Sequence, residues 1–142
     1  MRKREEVPIP NLDVETIVQV LDEAPVNLGI LYGSRARGET TPNSDIDLAI
    51  EFEESLSSTE LTQTRLGLIE RLTTELETDE IDVVPISRVP TELLEAILAD
   101  GVLLYGSPEN LDKYRRQASE VTRRRDRIAE FDALLSELER VV

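Results

Sequence analysis

Leu31-Tyr-Gly-Ser-Arg-Ala-Arg-Gly-Glu-Thr-Thr-Pro-Asn-Ser-Asp-Ile-Asp-Leu48 places the pair Gly33-Ser34 ten residues ahead of a second pair, Asp45 and Asp47. Positions i and i+2 of a strand share one face, so the two carboxylates lie side by side. Ile46, Leu48, Ile50 and Phe52 then point the other way, into a core. Two neighbouring carboxylates repel unless a cation or proton sits between them, and an open face favours a divalent ion. Glycine lets backbone approach an anion closely. A serine hydroxyl and nearby N–H groups donate to its oxygens, and a helix N-terminus favours negative charge. Arg35 and Arg37 add cations beside the turn. Gly38 through Ser44, rich in Thr, Pro, Asn and Ser, reads as the loop that returns the chain to the acidic strand. Together these features suit a nucleoside triphosphate carrying magnesium.

Neither half of the pattern is sufficient alone, and the chain contains its own control. Tyr105-Gly106-Ser107 repeats Tyr32-Gly33-Ser34 but leads into Pro108-Glu109-Asn110, with no Asp-x-Asp behind it. There Ser107 and Pro108 read as an N-cap followed by proline at the first helical position. An isolated Asp-x-Asp is likewise often a solvated strand face in so acidic a chain. The combination of strand, Gly-Ser turn, loop and acidic strand carries the signal.

That combination resembles the minimal nucleotidyltransferases of the DNA polymerase beta-like superfamily, the MNT domains. The resemblance implies an α+β fold, a small mixed β-sheet flanked by helices, with a Gly-Ser turn that opens a helix and holds the β and γ phosphates. It implies that Asp45 and Asp47 hold two magnesium ions, and that Arg37 matches the family's basic position better than Arg35. A third carboxylate is expected on the next strand, where it completes the catalytic ion and draws the proton from the attacking hydroxyl. Asp82 is the candidate. It sits in Glu80-Ile-Asp-Val-Val-Pro-Ile86, a β-branched run of the kind that forms a buried strand, where an acid needs a reason to be present. Asp79 and Glu80 read as loop acids at the mouth of that strand. The site set is therefore Asp45, Asp47 and Asp82 for catalysis and metal, with Gly33, Ser34 and Arg37 for nucleotide.

Composition removes most rival chemistries. The 142 residues include no histidine and no cysteine. Ser-His triads, thiol nucleophiles, histidine-bound zinc and disulfides are thereby excluded. A net charge of −14 argues against an extensive nucleic-acid surface, because phosphate backbones attract basic patches. Lysine occurs only at positions 3 and 113, and the acidic bias resembles that of salt-adapted organisms. Met1-Arg2-Lys3-Arg4-Glu5-Glu6 opens no apolar stretch suited to a signal peptide or membrane span, so a soluble cytoplasmic protein is expected.

Periodicity and capping residues place the remaining elements. Helices are expected over Val14 to Leu21, from Ser57 towards Glu77 with Ser57 and Glu60 as a capping box, and over Thr91 to Asp100 with Gly101 as the stop. Leu61, Leu66, Ile69, Leu72 and Leu76 supply the apolar stripe of the second. Strands are expected over Val26 to Tyr32, through Phe52, over Ile81 to Ile86, and over Val102 to Tyr105. These divide the chain into a core, residues 1–107, and a long C-terminal helix, residues 108–142. Seven basic residues face three acidic ones between Asn110 and Arg127. Leu111, Tyr114, Ala118, Val121, Ile128, Phe131, Leu135 and Leu138 recur at threes, fours and sevens, an apolar stripe. A small domain does not cover all of it, so Phe131 to Val142 is a candidate contact for a partner or for a second copy.

Three carboxylates, magnesium and a triphosphate grip support transfer of a nucleoside monophosphate with release of pyrophosphate. The acceptor is not written in the motif. Stand-alone MNT proteins are commonly paired with a HEPN-domain ribonuclease, so the resemblance implies an antitoxin that transfers AMP from ATP to a tyrosine of a HEPN toxin. Two alternatives remain: a small-molecule acceptor such as an aminoglycoside, whose positive charge suits an acidic protein, and an antitoxin that neutralises its partner by binding alone.

Overall fold

Residues 1–7, 9–39 and 45–141 are described by the structure, a computed structural model. The chain forms β1 (Arg2–Lys3), α1 (Val14–Asp22), β2 (Val26–Tyr32), β3 (Ile46–Phe52), α2 (Ser58–Leu76), β4 (Ile81–Pro85), α3 (Thr91–Asp100), β5 (Val102–Tyr105) and α4 (Asp112–Val141). Single 3-10 turns at Ile86–Arg88 and Pro108–Leu111 precede α3 and α4. The strands make one sheet in the order β1-β5-β2-β3-β4. It is mixed: β2 is antiparallel to both β3 and β5, while β3 with β4 and β1 with β5 are parallel. The expected α+β architecture, with a long C-terminal helix, is the observed one.

Local chemistry accounts for the element ends. Asp13 caps α1 by accepting from Thr16 N at 3.1 Å, and the Thr16 hydroxyl, donating to the same carboxylate at 2.7 Å, together with that backbone bond holds its carboxyl below the ordinary value. The capping box at α2 is complete: Ser57 Oγ accepts from Glu60 N, and Glu60 Oε1 accepts from Ser57 N, both at 3.1 Å. Glu77 closes α2 in the left-handed region at φ +54°, and Gly101 caps α3.

Ile46, Leu48, Ile50 and Phe52 do face a core, shared with Ile17, Val20 and Leu21 of α1 and Leu68 and Leu72 of α2. One member of the expected α2 stripe fails: Leu66 is 58% exposed, and Leu68 takes the inward position. Leu68 and Leu72 are one turn apart, and Leu66 lies off that line. Two further expectations change. β4 is an edge strand rather than a buried one, and within it Val83 alone is buried. β1 was not anticipated, because two charged residues become a strand only through β5, about a hundred residues away.

The residues fall into two compact units, 1–110 and 111–142. Within the second, the distal part of α4 exposes Ile128, Phe131, Leu134, Leu135 and Leu138. Val142 lies outside the described residues.

Candidate active site

The sheet's second face carries the site, and register puts it there. Tyr32 of β2 lies opposite Asp47 of β3, and Asp47 lies opposite Asp82 of β4. Tyr32, Asp47 and Asp82 thus form one row across three strands, with neighbours about 4.8 Å apart in the strand-pairing direction. Asp45, one residue before β3 begins, projects to the same side two positions earlier. The next row along is apolar, Ile30, Ala49 and Val84, and separates these acids from Glu51, which lies further along the same face of β3.

Gly33 closes this row from above. Its φ is +78°, and a Cβ built there would stand 2.5 Å from Asp47 Oδ2. Only glycine fits a left-handed residue against a carboxylate. The next residues make a single helical turn and stop: Arg37 N donates to Gly33 O at 3.3 Å, Gly38 N to Arg35 O at 3.3 Å and Glu39 N to Ser34 O at 3.0 Å. With Gly38 at φ +76°, the last two bonds are the paired closure of a Schellman motif. The expected helix behind Gly33-Ser34 is therefore one turn long, because Gly38 terminates it. The turn's own bonding uses the N–H groups of residues 37 to 39, and Ser34 N–H at its head lies outside that bonding, as at any helix start. The loop expected through Ser44 lies, from residue 40 onward, outside the described residues.

Electrostatics follow from the row. Burial, then the charges of Asp45 and Asp82, raise the Asp47 carboxyl above its ordinary value. Burial, Asp47 and Asp82 push the Tyr32 phenol up to about 12, so it remains a protonated donor at neutral pH. Glu80 is more than a loop acid: a hydrogen bond shared with Asp45, and the charge of Asp45, raise its carboxyl. Asp82 is 55% exposed, with Arg65 Nη2 lying 3.8 Å from its Oδ1. The two arginines of the turn diverge. Arg35 is buried and donates to Asn11 O at 3.2 Å, while Arg37 is exposed and pairs with Glu39 at 3.2 Å.

Three participants were not anticipated from sequence: Tyr32, Glu80 and Arg65. Tyr32 and Glu80 adjoin motif residues, yet only strand register reveals what they face. Arg65 carries no local signal.

Magnesium is the ion the motif implies. Among the described residues no three acidic side chains converge tightly enough to enclose an ion alone. Magnesium, however, is usually held by one or two carboxylates together with substrate phosphates. A row in which burial and the charges of Asp45 and Asp82 raise the proton affinity of Asp47, set beneath the Gly33 turn, has the chemistry of that donor set.

Comparison with known proteins bears on the fold and the family. Protein adenylyltransferase MntA of Aphanizomenon flos-aquae (strain 2012/KM1/D3) is 25% identical over 111 residues, covering 72% of this chain and 73% of that protein. The crystal structure of a toxin-antitoxin with AMP-PNP superposes with a TM-score of 0.68 at 23% identity, covering 87% of this chain and 99% of that one. A Shewanella oneidensis complex of a tri-AMPylated HEPN toxin with its MNT antitoxin gives a TM-score of 0.60 at 20% identity, covering 86% and 95%. At these identities the two structures establish a shared fold. Among the described residues no helix is long and apolar enough to cross a membrane. The family described as polymerase beta, nucleotidyltransferase matches residues 15–110, which include Gly33, Ser34, Asp45, Asp47 and Asp82, and the chain belongs to that family.

Proposed function

We propose that this protein transfers AMP from ATP to a partner protein, a tyrosine of a HEPN ribonuclease toxin, and thereby acts as its antitoxin. The row Tyr32-Asp47-Asp82 beneath Gly33 carries the reading, since it sets carboxylates against a tight left-handed glycine turn. The similarity to a protein adenylyltransferase and to a complex containing an AMPylated HEPN toxin supports AMP as the group and a protein as the acceptor.

In this reading Gly33 and Ser34 hold the β and γ phosphates, and Arg37 adds a cation at the turn. Asp45, Asp47 and Asp82 would hold two magnesium ions, which supply charge neutralisation on the phosphates. The acceptor hydroxyl oxygen attacks the α-phosphorus while the bond to the β-phosphate oxygen breaks, releasing pyrophosphate. Asp82 takes the hydroxyl proton. With a tyrosine acceptor, a base near the phenol matters because its ordinary pKa is about 10.

The exposed side chains of distal α4 favour a protein acceptor over an aminoglycoside. Ile128, Phe131, Leu135 and Leu138 follow a three-four-three spacing, the seam by which helices dock on other helices or on a second copy. That surface also gives weight to neutralisation by binding alone. Incubating the protein with its HEPN partner, labelled ATP and magnesium separates the readings. Label on the partner, abolished by Asp45→Ala with Asp47→Ala, is expected. Unlabelled partner that is nevertheless neutralised in a stable complex supports binding alone.

A further inference from the structure

Of the three carboxylates, Asp82 has a guanidinium fixed beside it. Arg65 belongs to α2, whose Leu68 and Leu72 enter the core on the Ile46, Leu48 and Ile50 side of the sheet. Asp82 stands on the other side, in the row of Asp47. β4 is the sheet's edge, so Arg65 reaches the acid around that edge. Its Nε donates to the main-chain carbonyl of Val83, and its Nη2 lies 3.8 Å from Asp82 Oδ1. A planar guanidinium whose Nε is fixed on the backbone has little freedom in where it aims the rest of the fork. With side chains 38% and 55% exposed, the ion pair contributes little to stability. Its consequence is geometric.

We infer that Arg65 is a positioning residue for Asp82, engaging Oδ1 and directing the remaining oxygen towards Asp47 and the metal-bound phosphates. The inference rests on the proposed function for the role of Asp82. It gives α2, otherwise a core helix, a part in shaping the site. Partners of ligating carboxylates commonly matter about 10–100-fold in metal affinity or activity. A lysine does not substitute, because a single ammonium cannot hold the Val83 carbonyl and the carboxylate in one plane.

The test measures Mn2+ affinity by electron paramagnetic resonance on the full chain with AMP-PNP. Removing a nearby positive charge tightens cation binding if charge alone matters. Loss of positioning weakens it. Arg65→Ala is expected to weaken Mn2+ binding about tenfold, with Arg65→Lys within about threefold of that value. Arg65→Gln, which retains much of the side-chain stem, carries the same expectation should the alanine variant melt early. In an Asp82→Asn background, Arg65→Ala is expected to change the affinity by less than about twofold, as for residues acting through one another. Tighter or unchanged Mn2+ binding in Arg65→Ala overturns the inference, as does the full loss recurring without the Asp82 carboxylate. If the native protein binds no Mn2+ with AMP-PNP, the metal reading of the site fails and the inference fails with it.

Discussion

The chain uses Tyr-Gly-Ser twice, and both glycines adopt a left-handed conformation, φ +78° at Gly33 and +96° at Gly106. Their surroundings differ. A Cβ on Gly33 would meet the tip of the Asp47 side chain at 2.5 Å, whereas one on Gly106 would meet the main-chain oxygen of Asn27 at 2.4 Å. After Ser34 comes one closed turn and the acidic row. After Ser107, whose Oγ accepts from Glu109 N at 3.4 Å, comes a 3-10 turn leading to α4. Identical local chemistry thus faces an acidic row in one place and redirects the main chain in the other. The deciding factor is what the sheet brings opposite the turn.

The most severe way to break the contrast is to remove the acids. Asp45→Ala with Asp47→Ala is expected to cut AMP transfer by at least about 1,000-fold while the circular dichroism spectrum persists. Labelled transfer at more than a tenth of the native rate would rule these residues out of the chemistry.

The paired glycine substitutions sharpen the contrast. At Gly33 the clashing atom belongs to a side chain that can swing aside, so Gly33→Ala should displace Asp47 and slow transfer about 100-fold. At Gly106 the obstacle is backbone. Gly106→Ala should therefore cost about 1–3 kcal/mol of stability and leave turnover per folded molecule within about twofold. Equal turnover losses in the two variants would erase the distinction between the turns.

A milder step follows at the serines. Ser34→Ala should raise the KM for ATP roughly tenfold by removing a phosphate donor. Ser107→Ala should lower stability by about 0.5–1 kcal/mol through its cap alone. Steady-state kinetics beside thermal melts check both.

The smallest effect is on stability and pH. Asp47 has a carboxyl raised in the folded state, so its ionisation opposes folding: the favourable contribution is present below the unfolded value near 3.8 and is lost as pH rises through the folded value. Asp47→Asn should consequently melt a few degrees higher, about 2–4 °C, at pH 7. The gap should shrink as pH falls towards that unfolded value. A variant less stable than native at pH 7 contradicts this account of the site as electrostatically strained.

What the sequence disclosed was local. Gly33, Ser34, Asp45 and Asp47 lie within fifteen residues of one another, and Ser57 with Glu60 announces α2 without help from the fold. Asp82 was legible because the family resemblance calls for a third carboxylate on the next strand, although the buried setting expected for it is not observed, since β4 is an edge. The losses came wherever a partner far along the chain decides the outcome. Arg2 and Lys3 are a strand only beside Val102 and Leu103, Tyr32 joins the site only through the register of β2 on β3, and Arg65 reaches Asp82 only because β4 is an edge. The short turn after Gly33 was a different kind of loss. Its stop signal, Gly38, is visible in the sequence, but from sequence alone it reads as the start of the loop as readily as the end of a helix.

The strand order β1-β5-β2-β3-β4 also bears on how the chain is made. During synthesis β2 acquires β3 as soon as residue 52 clears the ribosome, but its other flank waits for residues 102–105. At ~5–20 residues per second, that wait is roughly 3–10 s. Throughout it a central hydrophobic strand has one row of unpaired backbone groups, the template on which neighbouring nascent chains pair. Release of a product ending before Val102 should therefore yield precipitate rather than a smaller soluble domain, and slow codons are better tolerated after Tyr105 than between Phe52 and Gly101.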